Sequence, residues 1–180
     1  MNDADSPNPT TTATTTTTTT TTPPPIGSRA EFVAALQWGF AQAIAGGARR
    51  IVCIDANFAE WPLDAPALHA ALTGWLRQPQ RRLVLLAADF AELPRRQPRF
   101  VAWRALWSHA IEAWSPAEGE RVDLPTLLLD DRAVSVQLHD AVHWRGRAEL
   151  DARSVQRWRD PLDALLQRSQ PAFPVNSLGL

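Results

Sequence analysis

The chain has 180 residues, of which 45% are hydrophobic. This length is enough for one domain with a buried core and too short for two domains of ordinary size. Its formal net charge is −1, and all 18 of its basic residues are arginine. This near-neutral balance argues against a protein that binds nucleic acid or an anionic membrane through a broad basic surface.

The chain begins with a low-complexity segment. Threonine is nearly continuous from Thr10 to Thr22, and three prolines follow. Such a composition buries no apolar surface that could offset the entropy lost on ordering. It predicts a disordered tail over residues 1–27 and a single α/β domain over residues 28–180. Because the N-terminus resembles no signal peptide and Cys53 is the lone cysteine, we expect a cytoplasmic protein without a membrane segment.

The domain is predicted to open with a helix. Ser28 followed by Glu31 has the spacing of a capping box, and apolar residues then recur at helical period up to Ile44. Gly46 and Gly47 are predicted to end this helix.

A repeated segment predicts two equivalent strands. Arg49–Pro62 reads RRIVCIDANFAEWP and Arg81–Pro94 reads RRLVLLAADFAELP, with eight of fourteen positions identical. Each copy starts with a short apolar run, and a helix at about Ala67–Leu76 separates the two runs. This strand–helix–strand order is typical of parallel strands in an α/β sheet.

The second half of the chain is predicted to add a helix, a hairpin and a closing helix. Tryptophans at helical spacing predict the first helix at about Arg99–Trp114. An apolar run, the turn Asp130–Arg132 and the alternating stretch Ala133–Leu138 predict an antiparallel hairpin. His143–Glu149 is an ambiguous last strand. Ser154–Arg168 is a helix that Pro161 should kink or restart. The whole is predicted to be a mixed sheet with helices on both faces.

Polar residues that follow the strands are the candidate site. Asp55 and Asn57 follow the first repeated strand, Asp89 follows the second, and Asp130, Asp131 and Arg132 cap a third. Ligands of open α/β sheets bind beyond the carboxyl ends of the strands, so these groups could converge to hold a metal or act as acid and base. The competing interpretation, which we favour, is that they are ordinary turn-forming residues.

His143 and Arg145 are the other candidate ligand-binding residues. His139 and His143 lie four apart, but no further Cys or His at ligand spacing supports a metal site. Trp144 between basic residues could stack a nucleic-acid base, although no basic patch accompanies it. Because the phosphate-cradling glycine loop, the nucleophile elbow and the CxxC pair are absent, the sequence names no cofactor, metal or catalytic residue.

The stretch Pro125–Leu138, PTLLLDDRAVSVQL, resembles the strand–turn–strand of phospholipase D-like proteins, whose motif is His-x-Lys-x4-Asp. Counting back from Asp130, Asp123 and Pro125 stand at the His and Lys positions; from Asp131, Leu124 and Thr126 stand there. The sequence is also similar to bacterial domains with this degenerate half-fold, which end in a Leu-Gly-Leu-like tail. They occur alone or fused to acetyltransferases.

The resemblance implies a phospholipase D-like half-domain that has lost its nucleophile. The expected function is therefore non-catalytic, either ligand sensing or interaction with a protein such as an acetyltransferase-like domain or a second copy. The alternative is an enzyme for a phosphate-bearing small molecule. Asp130 or Asp89 would then act as base or hold a metal, His143 would be the acid, and Arg132 or Arg145 would bind phosphate.

Overall fold

A computed structural model describes residues 21–117 and 122–175 of the chain. The first half contains α1 (Arg29–Ala45), β1 (Arg50–Asp55), α2 (Pro66–Leu76), β2 (Arg82–Ala87), α3 (Leu93–Arg96) and α4 (Pro98–Ala105). The second half contains β3 (Ile111–Pro116), β4 (Thr126–Asp130), β5 (Val134–Asp140), β6 (Arg145–Leu150), α5 (Ala152–Gln167) and β7 (Ser169–Pro171).

The strands form one mixed seven-stranded sheet in the order β6-β5-β4-β1-β2-β3-β7. β1, β2 and β3 are parallel, whereas β4 runs antiparallel to β1. β5 and β6 continue the antiparallel half, and β7 pairs antiparallel with β3. The predicted α/β class with a mixed sheet is confirmed.

The repeated segment coincides with the register of β1 and β2. Arg50 pairs with Arg82 and Asp55 pairs with Ala87, so the two copies align in space as they align in sequence. The loops that follow are also in contact, because the rings of Phe58 and Phe90 stack with centroids 6.1 Å apart. The repeat therefore builds the centre of the sheet.

The first four helices cover one face of the sheet. Alternation along β1 directs Ile51 and Cys53 toward this face, where they join buried residues of α1, α2 and α4. α1 begins as predicted, because the Ser28 hydroxyl accepts a hydrogen bond from the Glu31 amide. Gly39 of α1 lies so close to β5 that an added Cβ would stand 2.9 Å from Val136, which explains the close packing of this helix.

α5 covers the opposite face. Val52 and Ile54 of β1 contribute to this second core, and Leu162 of α5 packs on them. Pro161 lies inside α5, which continues through it as one helix, so the helix does not restart there. Because one helix covers a broad sheet, clefts remain along its flanks.

The predicted helix at Arg99–Trp114 is wrong in its second half. α4 ends at Ala105, and Ile111–Pro116 is the parallel strand β3. The tryptophan spacing satisfied a helical period, but Ile111 and Ala113 also alternate with Glu112 and Trp114. Pairing with β2 decides between these patterns, and no local periodicity can report that pairing.

The boundary of the predicted tail is also wrong. Ile26, which the sequence assigns to the tail, is buried and forms a β-bridge with Gly146 of β6. The threonine-rich residues before position 21 and the closing Leu-Gly-Leu lie outside the described residues.

Candidate functional site

Asp55 is fully engaged at the carboxyl end of β1. Its Oδ1 accepts hydrogen bonds from the amides of Asn57 (3.0 Å) and Phe58 (2.8 Å). Its Oδ2 accepts one from the hydroxyl of Thr126, at 2.8 Å. The carboxylate thus fixes the turn after β1, a conformation that includes a positive φ of 57° at Phe58.

Asn57 and Asp89 have the same local role. The Asn57 side chain accepts a hydrogen bond from the Ala59 amide, and that of Asp89 accepts one from the Ala91 amide. Both are Asx turns, in which a short polar side chain bonds to backbone two residues further on. This geometry agrees with the turn-forming interpretation of the strand ends.

The alternative in which all these carboxylates converge at one end of the strands is wrong. β4 runs antiparallel to β1, and its last residue, Asp130, pairs with Ile51 near the start of β1. Asp55 lies four residues further along β1, which corresponds to about 13 Å at the rise of a strand. Because β4 runs antiparallel to β1, one group of residues lies at the opposite end of the strands from the other. The first group is Asp130, Asp131 and Arg132, and the second is Asp55, Asn57 and Asp89.

His143 and Arg145 lie at the turn between β5 and β6. His143 Nδ1 is 2.8 Å from Asp140 Oδ2, and hydrogen bonds from His143 hold the pKa of Asp140 below its usual range. Asp130 precedes β5 and His143 follows it, so about 20 Å of strand separates them. They cannot serve as the acid and base of one site. Trp144 is half-buried and packs against Phe32 of α1, with ring centroids 5.9 Å apart.

A cleft between α5 and the start of β1 brings together the other predicted group. Its volume is about 360 Å³, and Asp130, Asp131 and Arg132 line it. We call this space the α5 cleft. The other lining residues come from β1, β4 and α5: Arg50, Val52, Leu129, Ala152, Val155, Gln156, Trp158, Arg159, Leu162 and Asp163.

Asp130 is buried beside this cleft and holds its own turn together. Its Oδ1 accepts hydrogen bonds from the amides of Arg132, Ala133 and Val134 at 2.8–2.9 Å. Burial nevertheless raises the pKa of the carboxyl above its ordinary value, with the nearby Asp131 adding to the rise, although these hydrogen bonds oppose it.

Two of the three arginines of the α5 cleft, Arg50 and Arg159, were missed from the sequence. Arg50 is half-buried, Arg159 is exposed, and within residues 21–117 and 122–175 neither guanidinium has an acceptor or an ion-pair partner. Arg132 donates to the carbonyl of Gly46. The sequence contains one indication of the position of Arg50. Residues two apart in a strand share a face of the sheet, so Arg50 lies on the same face as Val52. No local sequence pattern indicates that α5 crosses this face.

Among the described residues, no three His, Cys, Asp or Glu side chains are grouped so that they could hold a metal ion. In the same part of the chain, no helix has both the length and the apolar character needed to cross a membrane.

No protein-family model matches the sequence, and no curated protein matches it. Among solved structures, the chain is similar to TrmBL2, an archaeal chromatin protein described as having a novel mode of DNA binding. The two are 12% identical, with a TM-score of 0.48, over 76% of this chain and 51% of TrmBL2. The chain thus spans about half the length of TrmBL2, and a similarity at this level carries no argument about function.

Proposed function

We propose that the protein is a non-catalytic module that binds a small molecule in the α5 cleft. One observation carries the proposal. Arg50 and Arg159 line the cleft, and neither guanidinium makes a hydrogen bond or an ion pair with any described residue. A guanidinium presents a rigid fork of N–H donors that matches an anionic group. The apolar side chains of Val52, Leu129 and Leu162 line the same cleft and can take the uncharged part of a ligand.

The non-catalytic part of the proposal concerns the degenerate phospholipase D-like motif. Asp123 and Pro125 stand at its His and Lys positions when Asp130 is taken as its Asp. Asp130 itself uses Oδ1 to hold the backbone of the β4–β5 turn. His143 lies at the far edge of the sheet and cannot replace the lost nucleophile. These contacts support the proposal that the strands of the motif are retained and that Asp130 stabilises the turn between them.

The cellular setting is part of the same proposal. The lone Cys53 is buried in β1, in agreement with a protein of the reducing cytoplasm. The resemblance further suggests that ligand binding is reported to a protein partner, either an acetyltransferase-like domain or a second copy.

The site can be tested by blocking it. Ala152 is exposed and lines the cleft at the start of α5, so Ala152→Trp fills the space without removing a buried group. We would titrate the ¹⁵N-labelled protein with amino acids, carboxylates and sugar phosphates. At least one class is expected to shift the Trp158 indole signal and the amides of α5, and Ala152→Trp is expected to abolish the shifts.

Ala102→Trp is the matched control, because Ala102 is an exposed helical alanine of α4 that does not line the cleft. It should bind as the wild type does. Shifts that persist in Ala152→Trp, or that map to another surface, would overturn the assignment of the site. Turnover of a bound compound would overturn the non-catalytic reading alone.

A further inference from the structure

The α5 cleft contains charges of both signs that form no ion pair with each other among the described residues. Three arginines and three aspartates line it, so its formal charge is 3 − 3 = 0. In the described part of the chain, no ion pair within 4.0 Å joins any of these six side chains. The cleft therefore presents unused donors and unused acceptors together.

Arg50 is the clearest unused donor. It lies in register beside Arg82 of β2, and the alternation of both strands places these like charges on the same face. The charge of Arg82 is matched, because its guanidinium contacts Glu112 and donates to the carbonyl of His109. Arg50 has no such partner among the described residues. An anionic ligand group beside Arg50 would offset this repulsion.

The aspartates supply the acceptors. Asp130 and Asp131 each use Oδ1 for backbone amides, the latter for that of Arg49 at 3.0 Å. Their Oδ2 atoms have no partner in the described residues, and Asp163 accepts no hydrogen bond there. A polyanion such as a phosphate would lie against these carboxylates. A ligand that also carries a cationic donor would pair with them instead.

We propose that the α5 cleft binds a small zwitterion of the amino-acid type, with its carboxylate at Arg50 and Arg159 and its ammonium group at Asp163. Its apolar side chain lies on Trp158 and Leu162, which form part of the cleft wall. The volume of about 360 Å³ is at the small end for ligand cavities and suits a single amino acid better than a nucleotide. This inference rests on the proposed function of the cleft and names its ligand class.

Calorimetry with three related probes tests the inference. L-phenylalanine carries both charges, N-acetyl-L-phenylalanine lacks the ammonium charge, and L-phenylalaninamide lacks the carboxylate. We expect L-phenylalanine to bind, and each derivative to bind about tenfold more weakly or worse, since each leaves one set of charged groups unpaired.

Variants assign the two ends of the ligand. Arg50→Gln should weaken binding of L-phenylalanine and of its N-acetyl derivative by about tenfold, and should leave the amide unaffected. Asp163→Asn should weaken L-phenylalanine and the amide, and should spare the N-acetyl derivative. Arg153→Gln and Asp160→Asn change exposed residues of α5 that do not line the cleft, so they should leave all three affinities unchanged.

The outcomes separate this inference from the function on which it rests. If N-acetyl-L-phenylalanine binds as tightly as L-phenylalanine, the cleft is a simple anion site, and the zwitterion is excluded while the binding function stands. The same holds if none of the three probes binds but a sugar phosphate shifts the Trp158 signal. If no probe of any class binds in a manner sensitive to Ala152→Trp, both proposals are wrong.

Discussion

Asp55, at the end of β1, accepts a hydrogen bond from the hydroxyl of Thr126, the first residue of β4, at 2.8 Å. This contact joins the repeated half of the sheet to the antiparallel hairpin at their junction. It also explains why Asp55 is not free to hold a ligand, since its other oxygen accepts the amides of Asn57 and Phe58.

A structural role for Asp55 predicts a large loss of stability on its removal. Asp55→Ala deletes three hydrogen bonds to a carboxylate and should lower the free energy of unfolding by about 2–4 kcal/mol. Asp89 follows β2 at the position that Asn57 holds after β1, and among the described residues its side chain accepts only the exposed Ala91 amide. Asp89→Ala should therefore cost less than about 1 kcal/mol. Urea unfolding of both variants checks this, and equal losses would contradict the difference in roles.

The raised pKa of Asp130 predicts a specific pH dependence of stability. Because burial favours the neutral carboxyl, the folded protein keeps this proton to a higher pH than the unfolded chain, where the pKa is about 3.9. The stabilising contribution is complete below that value and is lost as the pH rises through the folded pKa. Relative to Asp130→Asn, the wild type should therefore lose stability as the pH rises from about 4 toward neutrality.

Asp130→Asn should be at least as stable as the wild type at pH 7, because the amide oxygen can still accept the three backbone hydrogen bonds. Asp130→Ala removes that acceptor and should be destabilised by about 2–4 kcal/mol. Urea unfolding at several pH values gives the comparison, with Asp160→Asn as a control on an exposed carboxylate. A difference between wild type and Asp130→Asn that does not vary with pH would contradict the burial argument.

The parts of the fold that were predicted correctly depend on local signals. Ser28 and Glu31 mark the start of α1, and the copied segment gives both the positions and the register of β1 and β2. β3 was missed because its residues fit both periods, and only pairing with β2 distinguishes them.

The candidate site was predicted only in part, because its assembly also depends on pairing and packing between distant segments. Three of its eight residues, Asp130, Asp131 and Arg132, do line the α5 cleft. Asp55, Asn57 and Asp89 were grouped with them because the sequence does not reveal that β4 runs antiparallel to β1. His143 and Arg145 were separate candidates, and they lie at the turn between β5 and β6. Arg50 and Arg159 meet only through the path of α5 across the sheet, which depends on packing between distant segments.

Cys53 is predicted to be unreactive in the folded protein. It is completely buried in β1, and burial raises the pKa of its thiol well above the ordinary value, so the nucleophilic thiolate is suppressed. Ellman's reagent should label it only in urea. The same shift predicts that the free energy of unfolding falls above about pH 8.5, where the thiol ionises in the unfolded chain alone.

Cys53→Ala combined with Ser108→Cys provides the positive control for labelling, because Ser108 is exposed in the turn after α4. This variant should react within the dead time of manual mixing. Equally rapid labelling of the native wild-type protein would show that β1 opens readily and would contradict its place at the centre of the sheet.

Gln97 is a buried polar residue whose replacement should cost as much stability as that of Asp55. Its buried side-chain amide donates to the carbonyls of Phe58 (2.9 Å) and Trp61 (2.6 Å), and its oxygen accepts the amide of Asp64 at 2.9 Å. It thereby fixes the loop after β1 to the junction of α3 and α4. Gln97→Ala leaves the Trp61 carbonyl and the Asp64 amide without a partner among the described residues, while the Phe58 carbonyl keeps the Trp61 amide at 3.3 Å. It should lower the free energy of unfolding by about 3 kcal/mol.

Gln97→Glu separates the donor role from the packing role. A carboxylate of the same shape can accept the Asp64 amide but cannot donate to the two carbonyls, so this variant should be about as destabilised as Gln97→Ala at neutral pH. Acidification should restore part of the loss, because the protonated carboxyl regains one donor. Gln78→Ala, at an exposed residue bonded to Arg81, is the control and should change stability by less than about 0.5 kcal/mol. If Gln97→Glu were as stable as the wild type, the two carbonyls would not depend on Gln97, and the loop would have to be held by the packing of Phe58 and Trp61.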